Sequence, residues 1–108
     1  MSAFQHISPA DACQLMKDHE VQIADIRDPK SFSTARMQGA QSLNNDNVSD
    51  FVLNGEFENP LIVCCYHGIS SQPAAEFLAS QGFEQVYSLD GGFDAWSQQF
   101  PELMDTDA

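Results

Sequence analysis

Fixed positive charge is scarce in this chain. Lys17, Arg27, Lys30 and Arg36 are its only lysines and arginines, set against 16 aspartates and glutamates, and the formal net charge is −12. A DNA- or RNA-binding surface is not expected, because phosphate backbones are held by clustered cations. The same field repels a small anion at long range, so an anion site has to rest on local backbone donors. Long apolar runs are also missing. No stretch approaches the roughly 20 residues that span a bilayer, and no membrane partner is expected. The N-terminus lacks a basic segment followed by an apolar one, so no secretory leader is expected. There are 3 cysteines, an odd count without framework spacing. That argues against a disulfide scaffold and for a reducing compartment, so the cytoplasm is the expected location. His6 and His19 stand far apart without ligand spacing, so no zinc site is expected.

The 108 residues suit one domain, with a core over about 4–100 and a C-terminal tail over 101–108. The acidic stretch Asp105-Thr106-Asp107 is expected to be a frayed end. A first strand is read at Phe4 to Ile7. Ser8-Pro9-Ala10-Asp11 then starts a helix, with a capping hydroxyl, a first-turn proline and an acid three residues after the cap. Its apolar face includes Ala12, Leu15, Met16 and Cys13. Val21 to Asp25 reads as a second strand, and Asp28-Pro29 opens a short helical turn through Phe32. After the break at Gly39-Ala40, Gln41 to Leu43 is a minimal third strand. Asp46 is the expected cap of a helix over Val48 to Asn54. Leu61 to Cys64 is the fourth strand, and a helix from about Ser71 to Gln81 ends at Gly82. Gln85 to Leu89 is the fifth strand, Asp90-Gly91-Gly92 a turn, and Phe93 to Gln99 a last helix anchored in the core by Trp96. Strands alternating with helices imply an α/β fold: a mostly parallel five-stranded sheet with helices on both faces. Ligands of such sheets bind at the carboxyl ends of the strands.

The loop Cys65-Tyr66-His67-Gly68-Ile69-Ser70-Ser71 falls at that edge. A thiol there faces the unpaired N–H groups of the following helix, which favour a thiolate and attract anions. Gly68 permits the backbone turns a cradle needs, and Ser70 and Ser71 add hydroxyl donors. Cys65 is the candidate nucleophile. Cys64 belongs to the apolar run and points into the core, since side chains alternate along a strand; Cys13 is helix packing. His67 reads as lining the loop rather than as a general base. Tyr66 either rims the pocket or packs on the surface. Arg27, flanked by Asp25 and Asp28, reads as a structural ion pair. Two reactions suit a cysteine in an anion cradle. Cysteine phosphatases clamp their phosphate with an arginine six residues after the cysteine, and Ser71 stands there instead. Sulfur transfer, in which a thiolate takes a sulfane sulfur as a persulfide, needs only backbone donors.

Four segments carry a family resemblance: Asp25-Ile26-Arg27-Asp28, Gly39-Ala40, the loop from Cys65 to Ser71, and Tyr87-Ser88-Leu89-Asp90-Gly91-Gly92-Phe93-Asp94-Ala95-Trp96. With these in this order, the chain resembles the single-domain rhodaneses over nearly its whole length. The resemblance implies a rhodanese-like fold and a persulfide on Cys65. It also implies substrate binding by the loop residues Tyr66, His67, Gly68, Ile69, Ser70 and Ser71. The implied reaction is ping-pong: thiosulfate gives its outer sulfur to Cys65 and sulfite leaves, then cyanide, a small thiol or a thioredoxin-like dithiol takes that sulfur. No cofactor is implied. A persulfide carrier that is loaded by a partner protein is the alternative. Three features depart from the family pattern: Ala35-Arg36 replaces a Gly-His pair, Ile69 stands at a position often polar, and the loop has no cation.

Overall fold

The structure is a computed structural model and describes residues 4–107. Twelve elements follow one another: β1 (Gln5–Ile7), α1 (Pro9–Asp18), β2 (Gln22–Asp25), α2 (Pro29–Thr34), β3 (Arg36–Met37), β4 (Ala40–Ser42), α3 (Val48–Leu53), β5 (Leu61–Cys64), α4 (Ser71–Ser80), β6 (Val86–Leu89), α5 (Gly92–Gln99) and β7 (Met104–Asp105). Five strands form one sheet in the order β1-β6-β5-β2-β4, and every pairing in it is parallel. The expected α/β sheet is therefore present.

The sheet exists because its central strands are apolar on both sides. All four residues of β5 are buried, as a parallel strand covered by helices requires. Alternation divides them between two cores. Ile62 and Cys64 face a cluster with Ala12, Cys13, Leu89 and Trp96, under α1 and α5. Leu61 and Val63 face Ala75, Leu78, Phe83 and Val86, under α4, with Val48 and Val52 of α3 packed alongside. Each fully buried side chain of this size contributes about 1.5–3 kcal/mol relative to exposure. Cys64 is among them, as its place in the strand predicts, and burial pushes its thiol far above the usual range.

Helix starts follow the sequence closely. The Ser8 hydroxyl accepts the Asp11 N–H at 3.1 Å, and the Asp28 carboxylate accepts the Ser31 N–H at 3.0 Å. Four expectations are corrected. Asn47, not Asp46, stands at the cap of α3. The Asn44 side chain takes the Asp46 and Asn47 N–H groups at 2.8 and 3.0 Å, which closes the turn first. The third sheet strand is shifted to Ala40–Ser42, because its ladder partners are Ile23, Ala24 and Asp25. The last helix starts one residue earlier than expected, at Gly92. The tail is not frayed. β7 pairs antiparallel with β3, the Asp107 N–H donates to the Ser33 carbonyl at 3.0 Å, and Arg36 meets the Asp107 carboxylate at 2.8 Å. Trp96 closes this end from inside, donating its indole N–H to the Leu103 carbonyl at 3.1 Å.

Candidate active site

The carboxyl ends of β2, β5 and β6 lie side by side, and the loop 65–70 leaves the central one. Cys65 follows the last residue of β5 directly, and alternation turns it away from Cys64. The chain then circles back over the thiol before α4 begins. The sulfur accepts two backbone N–H groups, from Gly68 at 3.1 Å and from Ser71 at 3.2 Å. Ser71 opens α4, and its cap residue Ser70 makes no side-chain capping bond. The sulfur of Cys65 thus fills the place that a capping side chain takes elsewhere, against the positive end of the helix.

Two opposing effects act on this thiol. Burial, the largest, pushes its pKa up, since the whole residue is only 2% exposed. Against it stand the Ser71 hydroxyl and N–H and the N–H groups of Gly68 and His67. Together they win, and the thiol lies below its ordinary value. Ser71 is itself fixed: its hydroxyl shares a 2.7 Å hydrogen bond with that of Ser88 on β6, and both residues are fully buried. Two strands and one helix therefore converge on one sulfur.

The outer wall of the loop rests on α5, a contact that a turn followed by a helix does not announce in the sequence. The Phe93 N–H donates to the Cys65 carbonyl at 2.8 Å, and the Asp94 N–H to the Tyr66 carbonyl at 3.1 Å. A Cβ on Gly92 would stand 2.5 Å from the Cys65 oxygen and 2.7 Å from the His67 nitrogen, so only glycine lets the loop lie this close. Gly68 is pressed equally hard from the other side, where an added Cβ would come within 2.9 Å of the Leu89 carbonyl oxygen and 2.8 Å of the Gly91 nitrogen. The Gly91-Gly92 pair was the signal in the sequence that could have marked this contact.

The remaining loop residues divide by direction. Tyr66 is 44% exposed, and its hydroxyl donates to the Asp28 carboxylate and lies 3.3 Å from the Ser31 hydroxyl. It ties the loop to the cap of α2. The Ser31 hydroxyl and N–H both donate to the Asp28 carboxylate and hold it below its usual value. His67 is exposed, and its Nδ1 stands 4.0 Å from an Asp94 oxygen. Ile69 projects into solvent with 74% of its surface exposed, and Ser70 is also exposed. Arg27 offers no cation to the cradle. It binds both oxygens of Asp25, at 3.0 and 2.7 Å, donates to the Ala35 carbonyl at 2.7 Å and stacks 4.1 Å above the Phe93 ring centre. Both partners of that pair are buried, as the flanking acids suggested. Among the described residues, no group of three or more His, Cys, Asp and Glu side chains is gathered as metal ligands would be.

Comparison with known proteins matches the same surroundings. The family model described as the rhodanese-like domain matches residues 8–99. The chain is 48% identical over 103 residues to a protein named thiosulfate sulfurtransferase GlpE from Pseudoalteromonas translucida, covering 95% of this chain and 98% of that one. It is 50% identical over 98 residues to one of the same name from Shewanella oneidensis, covering 91% and 97%. Among solved structures, a rhodanese-like domain from Anabaena sp superposes with a TM-score of 0.81 at 21% identity, covering 98% of this chain and 80% of that one. A rhodanese-like domain protein from Staphylococcus aureus gives 0.79 at 19%, covering 97% and 100%. With its parallel sheet, its cysteine loop and its match over most of its length, this chain belongs to the rhodanese-like domain family.

Proposed function

We propose that Cys65 is the nucleophile of a sulfur-transfer cycle and that the loop 66–71 binds the substrate anion. The chain is a thiosulfate sulfurtransferase, using thiosulfate as donor and a thiophilic acceptor. In the first half, the Cys65 thiolate attacks the outer sulfur of thiosulfate. The S–S bond of the donor breaks, sulfite leaves with the electron pair, and a Cys65 persulfide remains. In the second half, an acceptor nucleophile attacks the terminal sulfur and the thiolate is regenerated. Cyanide yields thiocyanate. A dithiol takes the sulfur as its own persulfide, then expels hydrosulfide as its two sulfurs join.

One observation carries this reading: the sulfur lies where a helix cap belongs, with two N–H groups aimed at it. Those donors stabilise the attacking thiolate and remain in place for the persulfide anion. The physiological acceptor on this reading is a small thiol or a thioredoxin-like dithiol, and the reducing cytoplasm is the setting in which Cys65 stays free. The carrier alternative draws on the loop's lack of lysine or arginine, which leaves thiosulfate without a counter-charge. Saturation kinetics separate the two, since a carrier shows negligible turnover with thiosulfate.

Incubation with thiosulfate should add the mass of one sulfur atom to the intact chain, and cyanide or dithiothreitol should remove it. Cys65→Ser should take up none. An unchanged mass, with thiocyanate production unaffected in Cys65→Ser, overturns the assignment.

A further inference from the structure

Beside the cysteine loop lies an open groove between α3 and α4 of about 620 Å³. Ile26, Leu43, Val48, Ala74, Phe77 and Leu78 line it, together with Ser70 of the cysteine loop. Ser70 immediately precedes the residue whose N–H touches Cys65. Past Phe77 the groove runs on into a second hollow floored by Val52 and Leu53. Its large apolar side chains are uncovered: Phe77 is 48% exposed and Leu53 79%. Single exposed apolar residues are ordinary, but a lined groove with two of them in its wall marks a binding surface.

Charge says what fits there. α3 and α4 carry no lysine or arginine, while Asp46 on the preceding turn and Glu76 on α4 are exposed. Arg27 and Arg36 are engaged with Asp25 and Asp107. A second copy of the chain would bring another −12 against the first. A nucleic acid would be repelled in the same way. We propose that this groove docks the polypeptide that takes sulfur from Cys65, and that the docking segment is a thiol-bearing one with apolar residues flanked by lysine or arginine. The assignment rests on the persulfide reading above and deepens it by separating two classes of acceptor. Cyanide reaches the sulfur without touching α3 or α4. A protein thiol has to lie across the loop, and the groove gives its neighbours an apolar seat.

Two cysteine peptides of equal length test this, one with Leu, Phe and Lys around the thiol and one with Ser and Asp. Persulfide-loaded protein should pass sulfur to the apolar basic peptide at least about tenfold faster, the difference one good interface side chain makes. The advantage should shrink as salt rises. Phe77→Ser and Glu76→Lys, both at exposed positions, should each erode the preference and leave transfer to cyanide unchanged. A cysteine-to-serine version of the basic peptide should shift the amide resonances of Val48, Ala74 and Phe77. Equal transfer to both peptides overturns the proposal, as does a preference that survives both substitutions. Resonance shifts elsewhere on the surface also overturn it. Failure of the sulfur-transfer reading is distinct: cyanide would then release no sulfur from wild type, while peptide binding to the groove would persist.

Discussion

Replacing Gly92 with alanine isolates the contact that holds the cysteine loop against α5. Gly92 has φ +58°, and its new Cβ would meet three backbone atoms of the loop at 2.5, 2.6 and 2.7 Å. An L side chain in the left-handed region costs about 1–2 kcal/mol. Forcing a methyl group into a packed site adds about 1–3 kcal/mol. Because the clashing atoms are backbone, no side chain can swing aside, so Gly92→Ala should cost about 2–5 kcal/mol in all. Relief is available only if the loop retreats, which breaks the Phe93 and Asp94 hydrogen bonds and draws the Gly68 and Ser71 donors off the sulfur. Gly39→Ala is the matched control, with φ +83° and nothing within 4 Å of the added Cβ. It should lose only the about 1–2 kcal/mol of the backbone term and keep full activity. Urea unfolding and thiocyanate production, measured on both variants, give the comparison. If Gly92→Ala matches Gly39→Ala in stability and also retains wild-type turnover, the loop does not rest on α5 as described.

Ser71→Ala strips the hydroxyl beside the sulfur and leaves that of Ser88 buried without a partner, at about 1–3 kcal/mol of stability. Since this hydroxyl helps to lower the Cys65 thiol, the acid limb of the rate–pH profile should move to higher pH; an unmoved limb refutes its part. Cys65 also links folding to pH. A thiol lowered in the folded state adds stability that is complete above the unfolded thiol's pKa, near 8.5, and lost as pH falls through the folded one. The stability gap between wild type and Cys65→Ser should therefore widen as pH rises across that window, which unfolding curves at several pH values will show. Arg27→Leu leaves Asp25 buried and unpaired, and should cost about 3–5 kcal/mol, whereas the double substitution Asp25→Leu/Arg27→Leu should recover part of the loss. Thiosulfate and the chain repel each other, so kcat/KM for thiosulfate should rise as the screening length falls from about 30 Å to 8 Å between 0.01 and 0.15 M salt. A fall would reveal a cationic site that the geometry does not contain.

What could be read from the residues was local. The caps Ser8 and Asp28, the apolar run 61–64 and the strand-end position of Cys65 each follow from a few neighbouring side chains, and all stand in the structure. What escaped was set by partners distant in sequence. The ribbon of β3 and β7 joins two-residue strands more than sixty positions apart, too short for any periodicity, so the acidic tail looked unanchored. The contact of Gly92 with the loop is of the same kind, because a glycine pair reads as a turn until the backbone it must approach is known. Tyr66 could not be placed for that reason too: its fate depends on Asp28, thirty-eight residues earlier. Asn44 is the exception, a local competitor whose side chain took the turn that Asp46 was expected to cap.

The absence of an arginine from the loop decides the chemistry as much as the presence of the cysteine does. A phosphate ester presents two charges spread over three oxygens, and its transfer needs a planar cation to hold them. Here the nearest guanidinium is already bound to Asp25 and roofed by Phe93. Backbone N–H groups and the Ser71 hydroxyl remain, and they gather around the sulfur. Such a cradle suits one charge localised on one sulfur, which is the form a thiolate takes. In a chain of net charge −12 this is also the arrangement least exposed to the field of its own surface, since peptide dipoles at contact distance act where screened carboxylates do not.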